Sequence, residues 1–498
     1  MDISTGIKKL NDSEQLMSVF SHAMSVMHYD GATAAPEMSY IDRSKSLGLL
    51  STYSYDILLN KENKENVRFL MDNRDLLSSS DKKRVELLQE KIDKIEGIPL
   101  EEYAEYRALI SESEAVWKDS KAKNDFKSFM PYIDKIIDVK KKFAAYFDPD
   151  KHPYDFYLNE YERGSDRDFF DNFFETIKAR LVPLISEISD CPAPDISFLQ
   201  GNFPIYKQRR LSEVLMEFLN IDSSRCVLGE TEHPFTAHLS RNDCRVTTHY
   251  YEDDFTSSFY SVIHECGHAL YDMGIKEEYY NTVLGTGTSM GIHESQSRFY
   301  ENIVGRSLPF CEYILPHLAN LFPQFEKITP KEFYKAVNVA EPSLIRIRAD
   351  ELTYSMHILI RYELEKMLFE NEISAVDLPE LWNNKYREYL GIDVPNDSVG
   401  VLQDTHWGGG MFGYFPSYSL GSAYSAQIFH YLNKDLDFSA LVSSGDIKPV
   451  YEWLRDRIYI FGSEKDPDEI IRICCNEEFN PNYYIDYLEN KFRALYNI

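Results

Sequence analysis

The chain has 498 residues, 43% of them hydrophobic, and carries a formal charge of −28. This is ample for a sizeable core and would permit more than one domain. The acidic excess argues against nucleic acid or an anionic membrane as partner, because both demand a basic face.

From the N-terminus, Met1 to Lys9 leads into an amphipathic helical pattern, without the apolar core and cleavage site of a secretory signal. No later run approaches the length of a membrane span. The seven cysteines are odd in number and scattered, with Cys474 and Cys475 adjacent. They fit reduced thiols, so a cytoplasmic location is expected. Helical periodicity then dominates, with apolar residues three and four apart in Lys82 to Ile95, Lys127 to Phe147 and Asp166 to Ile188. The same pattern returns in Glu351 to Glu370 and Tyr483 to Leu495. Cys191 to Pro204, rich in Pro, Asp and Gly, reads as a loop. Cys244 to Tyr251 is the clearest strand, and its position suggests an edge along a cleft that could pair with a substrate backbone. There is no internal repeat and no Gly/Ser linker, so one mainly helical body is the simplest reading.

The run Phe255 to Met273 contains His264-Glu265-Cys266-Gly267-His268. H-E-x-x-H arises by chance in roughly one chain of this length in sixty, so its context decides. Asp254 and Thr256 are helix-start signals, an apolar stripe follows, and Gly274 is a stop. On a helix His264 and His268 share one face and can ligate a single zinc, with Glu265 beside it as a base. A catalytic zinc site needs a third protein ligand and one open position. The metzincin pattern would place a third histidine soon after His268, and none is there. After GTGTSMG a second helix begins near Ile292, in which Glu294 is the best-placed carboxylate and His293 a rival ligand. Cys266 and Cys244 read as small packing residues, since neither spacing suits a thiolate zinc site.

The block GTGTSMGIHESQSRFYEN resembles the carboxypeptidase Taq family of metallocarboxypeptidases, which pair H-E-x-x-H with a His-Glu-Ser-Gln element. Further elements follow in family order. After His233-Pro234-Phe235, Asp243 to Thr247 fits D-x-R-x-T, Ile345 to Asp350 fits I-R-x-x-A-D, and Gly400 to Trp407 fits G-x-x-Q-D-x-H-W. The resemblance covers essentially the whole chain, beginning at the stretch of Asp30, Thr33 and Pro36. Two positions depart from it: Tyr29 stands where Trp is usual, and Arg348 where Glu is expected.

The resemblance implies a largely helical, two-lobed, zincin-like body with a deep cleft and a small sheet beside the zinc helix. It implies one domain over residues 1–498, with the site motifs within about 233–430, and a homodimer. His264, His268 and Glu294 would hold zinc, or cobalt in its place, and Glu265 would act as general base. His406, with Tyr414 or Tyr418, would donate to the oxyanion. Arg346 would take the terminal carboxylate of a peptide, with Arg348 and Arg245 as secondary candidates. Asp350 and Asp243 would orient histidines or arginines. The expected activity is removal of C-terminal residues from peptides. An oligopeptidase or endopeptidase on the same zinc chemistry is the alternative, and intact ligands argue against a non-catalytic peptide-binding scaffold.

Overall fold

In the computed structural model, which describes residues 2–498, the amphipathic N-terminus forms α1 (Ile3–Thr33), capped by Asp2 accepting from Thr5 N. α2 (Tyr40–Leu59), α3 (Lys61–Asp72) and α4 (Ser79–Glu96) follow. Leu10, Leu58, Val67, Leu70, Val85 and Leu88 of these helices bury one another in a small core of their own. Buried Glu14 ties this group to the remainder: it pairs with Arg84 of α4 and accepts the Val283 N–H at 2.8 Å.

α5 (Leu100–Lys123), α6 (Phe126–Phe147), α7 (Pro153–Tyr161), α8 (Arg167–Ser189) and α9 (Ile205–Phe218) contribute to a second, larger core. The predicted helices over residues 82–95, 127–147 and 166–188 all form, and Asp166 is the N-cap of α8. Cys191 to Pro204 is a loop broken only by a 3-10 turn at Ser197–Leu199.

Three short strands come next: β1 (Cys226–Glu230), β2 (Thr236–Ser240) and β3 (Asp243–Thr248). The sheet order is β1-β3-β2, with β3 parallel to β1 and antiparallel to β2. The expectation of an edge strand over Cys244 to Tyr251 is therefore corrected. β3 is the central strand, bonded on both sides, and it ends at Thr248. Its buried Val246, Thr247 and Thr248 mark a strand covered on both faces, for which β-branched residues are suited.

The rest is helical: α10 (Phe255–Gly274), α11 (Met290–Arg298), α12 (Leu308–Leu321), α13 (Pro330–Ala336), α14 (Tyr354–Phe369), α15 (Leu378–Leu390) and α16 (Pro416–Asp435). α17 (Phe438–Ser444), α18 (Lys448–Arg457), α19 (Pro467–Cys475) and α20 (Asn482–Tyr496) close the chain. α11 runs directly into a π-helical turn, Phe299–Val304. α10 packs between the sheet, α9 and α11, and α16 lies along α11. Among the described residues all seven cysteines are free, Cys244 and Cys266 being fully buried packing residues as expected. No described helix is long and apolar enough to cross a membrane.

Candidate active site

Asp254 accepts from the backbone N–H groups of Thr256 and Ser257 and so starts α10 where the sequence expects. Phe255, Phe259, Val262, Ile263, Cys266 and Leu270 anchor the helix in the core. Gly267 then decides what crosses it. A β-carbon there would lie 2.7 Å from Ser297 Cα and 2.8 Å from the Gln296 carbonyl, so only glycine allows α11 this close. The crossing sets Glu294 of α11 against the two histidines of α10.

His264 Nε2 is 3.7 Å and His268 Nε2 3.5 Å from the same Glu294 oxygen, Oε2. Ligand atoms of these three residues all lie within 4.8 Å of one another. Two ligands at tetrahedral zinc, each about 2.0–2.1 Å from the ion, stand about 3.3 Å apart. A nitrogen, nitrogen, oxygen set at this spacing fits a divalent metal. His293, the rival ligand, does not join it: its Nε2 lies 3.1 Å from Asp272 Oδ1, and its ring stacks on His268 with centroids 4.6 Å apart.

Groups around His264, His268 and Glu294 hold them in place. Glu301 accepts from His264 Nδ1 at 2.8 Å, which turns Nε2 toward Glu294. Arg298 donates to Glu294 Oε1 at 2.8 Å and to Glu301 Oε2 at 3.2 Å. Gly421 of α16 admits Glu294, since a β-carbon there would meet Glu294 Cγ at 2.7 Å. Buried Glu162 accepts from Gly291 N at 3.0 Å, near the start of α11.

Charges of both signs meet at the site. Burial opposes charge on His264, yet Glu294 and Glu301 raise it to about 9. Burial pushes His268 well below its usual value, and the neighbouring His293 adds to this. Glu301, although buried, is held down at about 2 by Arg298 and His264. Glu265 is raised by burial, and its Oε2 accepts from Thr236 Oγ1 of β2 at 2.7 Å.

A second cluster gathers the later motif residues. Arg346 Nε and Nη2 bond Asp404 Oδ1 at 3.0 and 2.9 Å, and its backbone N–H donates to Gln403 Oε1 at 3.0 Å. Arg361 donates to the other Asp404 oxygen at 2.7 Å. The His406 ring packs against Phe415 at 4.4 Å, Tyr414 at 5.5 Å and Tyr418 at 6.3 Å. Burial drives His406 down to about 4, so the imidazole is neutral near pH 7. Burial pushes both phenols up, so Tyr414 and Tyr418 keep their O–H donors. Tyr418 lies one helical turn before Gly421, which places it on the side of α16 that meets Glu294. Tyr354 bridges the two clusters, facing Arg298 at 4.4 Å on one side and Arg346 on the other.

The remaining predicted residues lie elsewhere. Arg245 is bidentate on Asp243 at 2.8 and 2.9 Å and covers the Tyr29 ring at 4.9 Å, so Asp243 does orient an arginine. Arg348 is exposed, without a carboxylate partner among the described residues. Asp350 is corrected: it accepts from the N–H groups of Leu352, Thr353 and Glu341 and orients no histidine or arginine. A short carboxylate after an extended residue binds its own chain ahead of more distant partners.

Sequence reasoning missed Glu301, Arg298, Thr236, Gly421 and Arg361. For Glu301 a signal existed, because it follows Glu294 by two helical turns on the same face.

Comparison with known proteins agrees with this geometry. The sequence profile of the carboxypeptidase Taq (M32) metallopeptidase family matches residues 9–492. "Carboxypeptidase 1" of Bacillus subtilis (strain 168) is 43% identical over 100% of both chains. "Thermostable carboxypeptidase 1" of Pyrococcus furiosus is 34% identical over 98% of both. The crystal structure of the M32 carboxypeptidase from Deinococcus radiodurans R1 superposes with a TM-score of 0.96 at 31% identity, covering 99% of this chain and 100% of that one. With matches running the length of the sequence and of the fold, the chain belongs to the carboxypeptidase Taq (M32) family and is a metallocarboxypeptidase, a peptide hydrolase acting at the C-terminus.

Proposed function

We propose that His264, His268 and Glu294 hold a zinc ion, that Glu265 is the general base, and that Arg346 receives the free C-terminal carboxylate of a peptide. The observation that carries this reading is the convergence of two imidazole nitrogens on one Glu294 oxygen, with Glu265 adjacent on α10 and buried. When bound, the ion polarises the scissile carbonyl and acidifies the attacking water. Thr236 fixes one Glu265 oxygen at 2.7 Å, leaving the other to take the water's proton and return it to the departing amine. His406 and Tyr418, neutral donors at the edge of the site, stabilise the developing oxyanion, and Tyr414 packs against both to shape the substrate pocket.

Asp404 is shared by Arg346 and Arg361, so this buried group carries one uncompensated positive charge. A terminal carboxylate would balance it. Arg245 and Arg348 are the arginines to which the role passes if Arg346 does not serve. The free thiols and the family resemblance support action in the cytoplasm, as a single catalytic domain and as a homodimer.

The test is direct. His264→Ala and His268→Ala are expected to lose a metal that wild type holds at one ion per chain. Glu265→Gln should keep it and lose most of the rate. Retention of stoichiometric metal by both histidine variants would overturn the ligand assignment. Rapid cleavage of a C-terminally amidated peptide by wild type would favour the endopeptidase alternative.

A further inference from the structure

We propose that Glu365 of α14 is a positioning residue for the reaction: it clamps both ends of the segment Trp407–Gly413 and thereby sets His406 and Tyr414, which flank that segment. The inference rests on the role given above to His406.

Glu365 is wholly buried, and three donors converge on its carboxylate. Trp407 Nε1 bonds Oε1 at 2.8 Å, at the start of the segment. Gly413 N bonds Oε2 at 2.8 Å, at its end. Tyr154 Oη of α7 completes the set on Oε2, also at 2.8 Å. Between the clamped ends the chain is tightly wound, with Met411 N bonding the His406 carbonyl at 2.8 Å and Gly410 N the Trp407 carbonyl at 3.0 Å. His406 is thus covalently next to one clamped residue and Tyr414 next to the other.

A fold that only needed filling here would be served by an apolar side chain, because burying a carboxylate is costly unless its lone pairs are used. Here every bond it accepts goes to the segment or to α7. The charged neighbour, Lys140, is stacked over the Tyr157 ring at 3.7 Å. α7 adds a second constraint just past the segment, since Tyr161 meets the Tyr414 ring edge-on at 5.0 Å. Glu365 does not touch the metal ligands. Its effect on the reaction runs through two backbone neighbours, and small displacements of such donors are costly to rate.

A double-mutant cycle on the metal-loaded, full-length enzyme tests this. Glu365→Gln places an amide N–H against one of the donors. Its kcat should fall about 10- to 100-fold, with one metal ion per chain and a smaller rise in KM through Tyr414. In a His406→Ala background the same substitution should cost clearly less than in wild type, because one of the two positioned groups is already gone and only the share that runs through Tyr414 remains. Should Glu365→Gln not fold, Trp407→Phe removes one donor from the same carboxylate and keeps the ring. It should lower kcat, and again cost clearly less in His406→Ala. Losses that multiply in full with His406→Ala, or that follow loss of metal, would overturn the positioning role while leaving His406 in place. An unchanged kcat in His406→Ala alone would overturn the reading of His406 and this proposal with it.

Discussion

His264 Nδ1 lies 2.8 Å from Glu301 Oε2, and that bond assigns the ring's two nitrogens. In the neutral imidazole Nδ1 carries the proton and Nε2 keeps the lone pair, on the side of Glu294 and His268. Arg298 bonds both Glu301 and Glu294, so one guanidinium links a proposed ligand to the carboxylate that orients His264.

Glu301→Gln keeps an acceptor for His264 and removes the charge. We expect metal affinity to fall about 10- to 100-fold. Competition against a chromophoric chelator measures it, and an unchanged dissociation constant would mean that Glu301 serves only Arg298 and the fold.

Metal binding should release protons. In the metal-free protein Glu294 and Glu301 hold His264 at about 9, so near pH 7.5 the ring must lose a proton to become a ligand. Affinity should therefore rise with pH, about tenfold per unit, until about pH 9. The stability sign is opposite. A raised histidine stabilises the metal-free fold fully below its unfolded value, and this contribution is lost as pH climbs through about 9. Calorimetry in two buffers of different ionisation enthalpy reads the proton count. A flat affinity between about pH 6.5 and 8.5 would remove His264 from the ligand set.

Gly421→Ala drives a methyl toward Glu294 Cγ, 2.7 Å from the position it would take. Overpacking of this kind costs roughly 1–3 kcal/mol, and here the yielding group is a proposed metal ligand. Both Tm and metal affinity should drop. Gly48→Ala on α2 is the control, since its β-carbon would meet nothing within 4 Å. It should be neutral, or stabilising by up to about 1 kcal/mol. Equal effects at the two glycines would contradict the packing account.

Arg346→Ala should weaken kcat/KM on a free-acid peptide by roughly 2–4 kcal/mol and leave any slow cleavage of the amidated peptide almost unchanged. Asp404 would keep Arg361 as its partner, so the fold should tolerate the change. Equal losses on the two substrates would show that the guanidinium serves Asp404 alone.

The clustering of His264, His268 and Glu294 was legible because H-E-x-x-H and the following helix encode it in local spacing, and spacing survives folding. The long helices were legible for the same reason. The small sheet beside α10 is as expected, and only the place of β3 within it differs, because β1 and β2 are five residues each, too short for a periodic signal that would put a neighbour on both sides of β3. The motif G-x-x-Q-D-x-H-W contains Asp404 but not its partners, since Arg346 and Arg361 reach it from residues distant in sequence. Asp350 failed in the other direction, through bonds to its own neighbours that no motif records.

The π-helical turn Phe299–Val304 has a consequence for how the site tolerates change in chain length. Glu301 sits inside that wider turn, downstream of Glu294 and Arg298 on the regular part of the helix. Deleting one residue between Arg298 and Glu301 would let the turn relax to ordinary winding, and each residue carries about 100° of rotation around an α-helix. Glu301 would swing off the face that meets His264. Most substitutions at Phe299 or Tyr300 would be a packing matter; a deletion there would uncouple the histidine from its carboxylate while every ligand remained in the sequence.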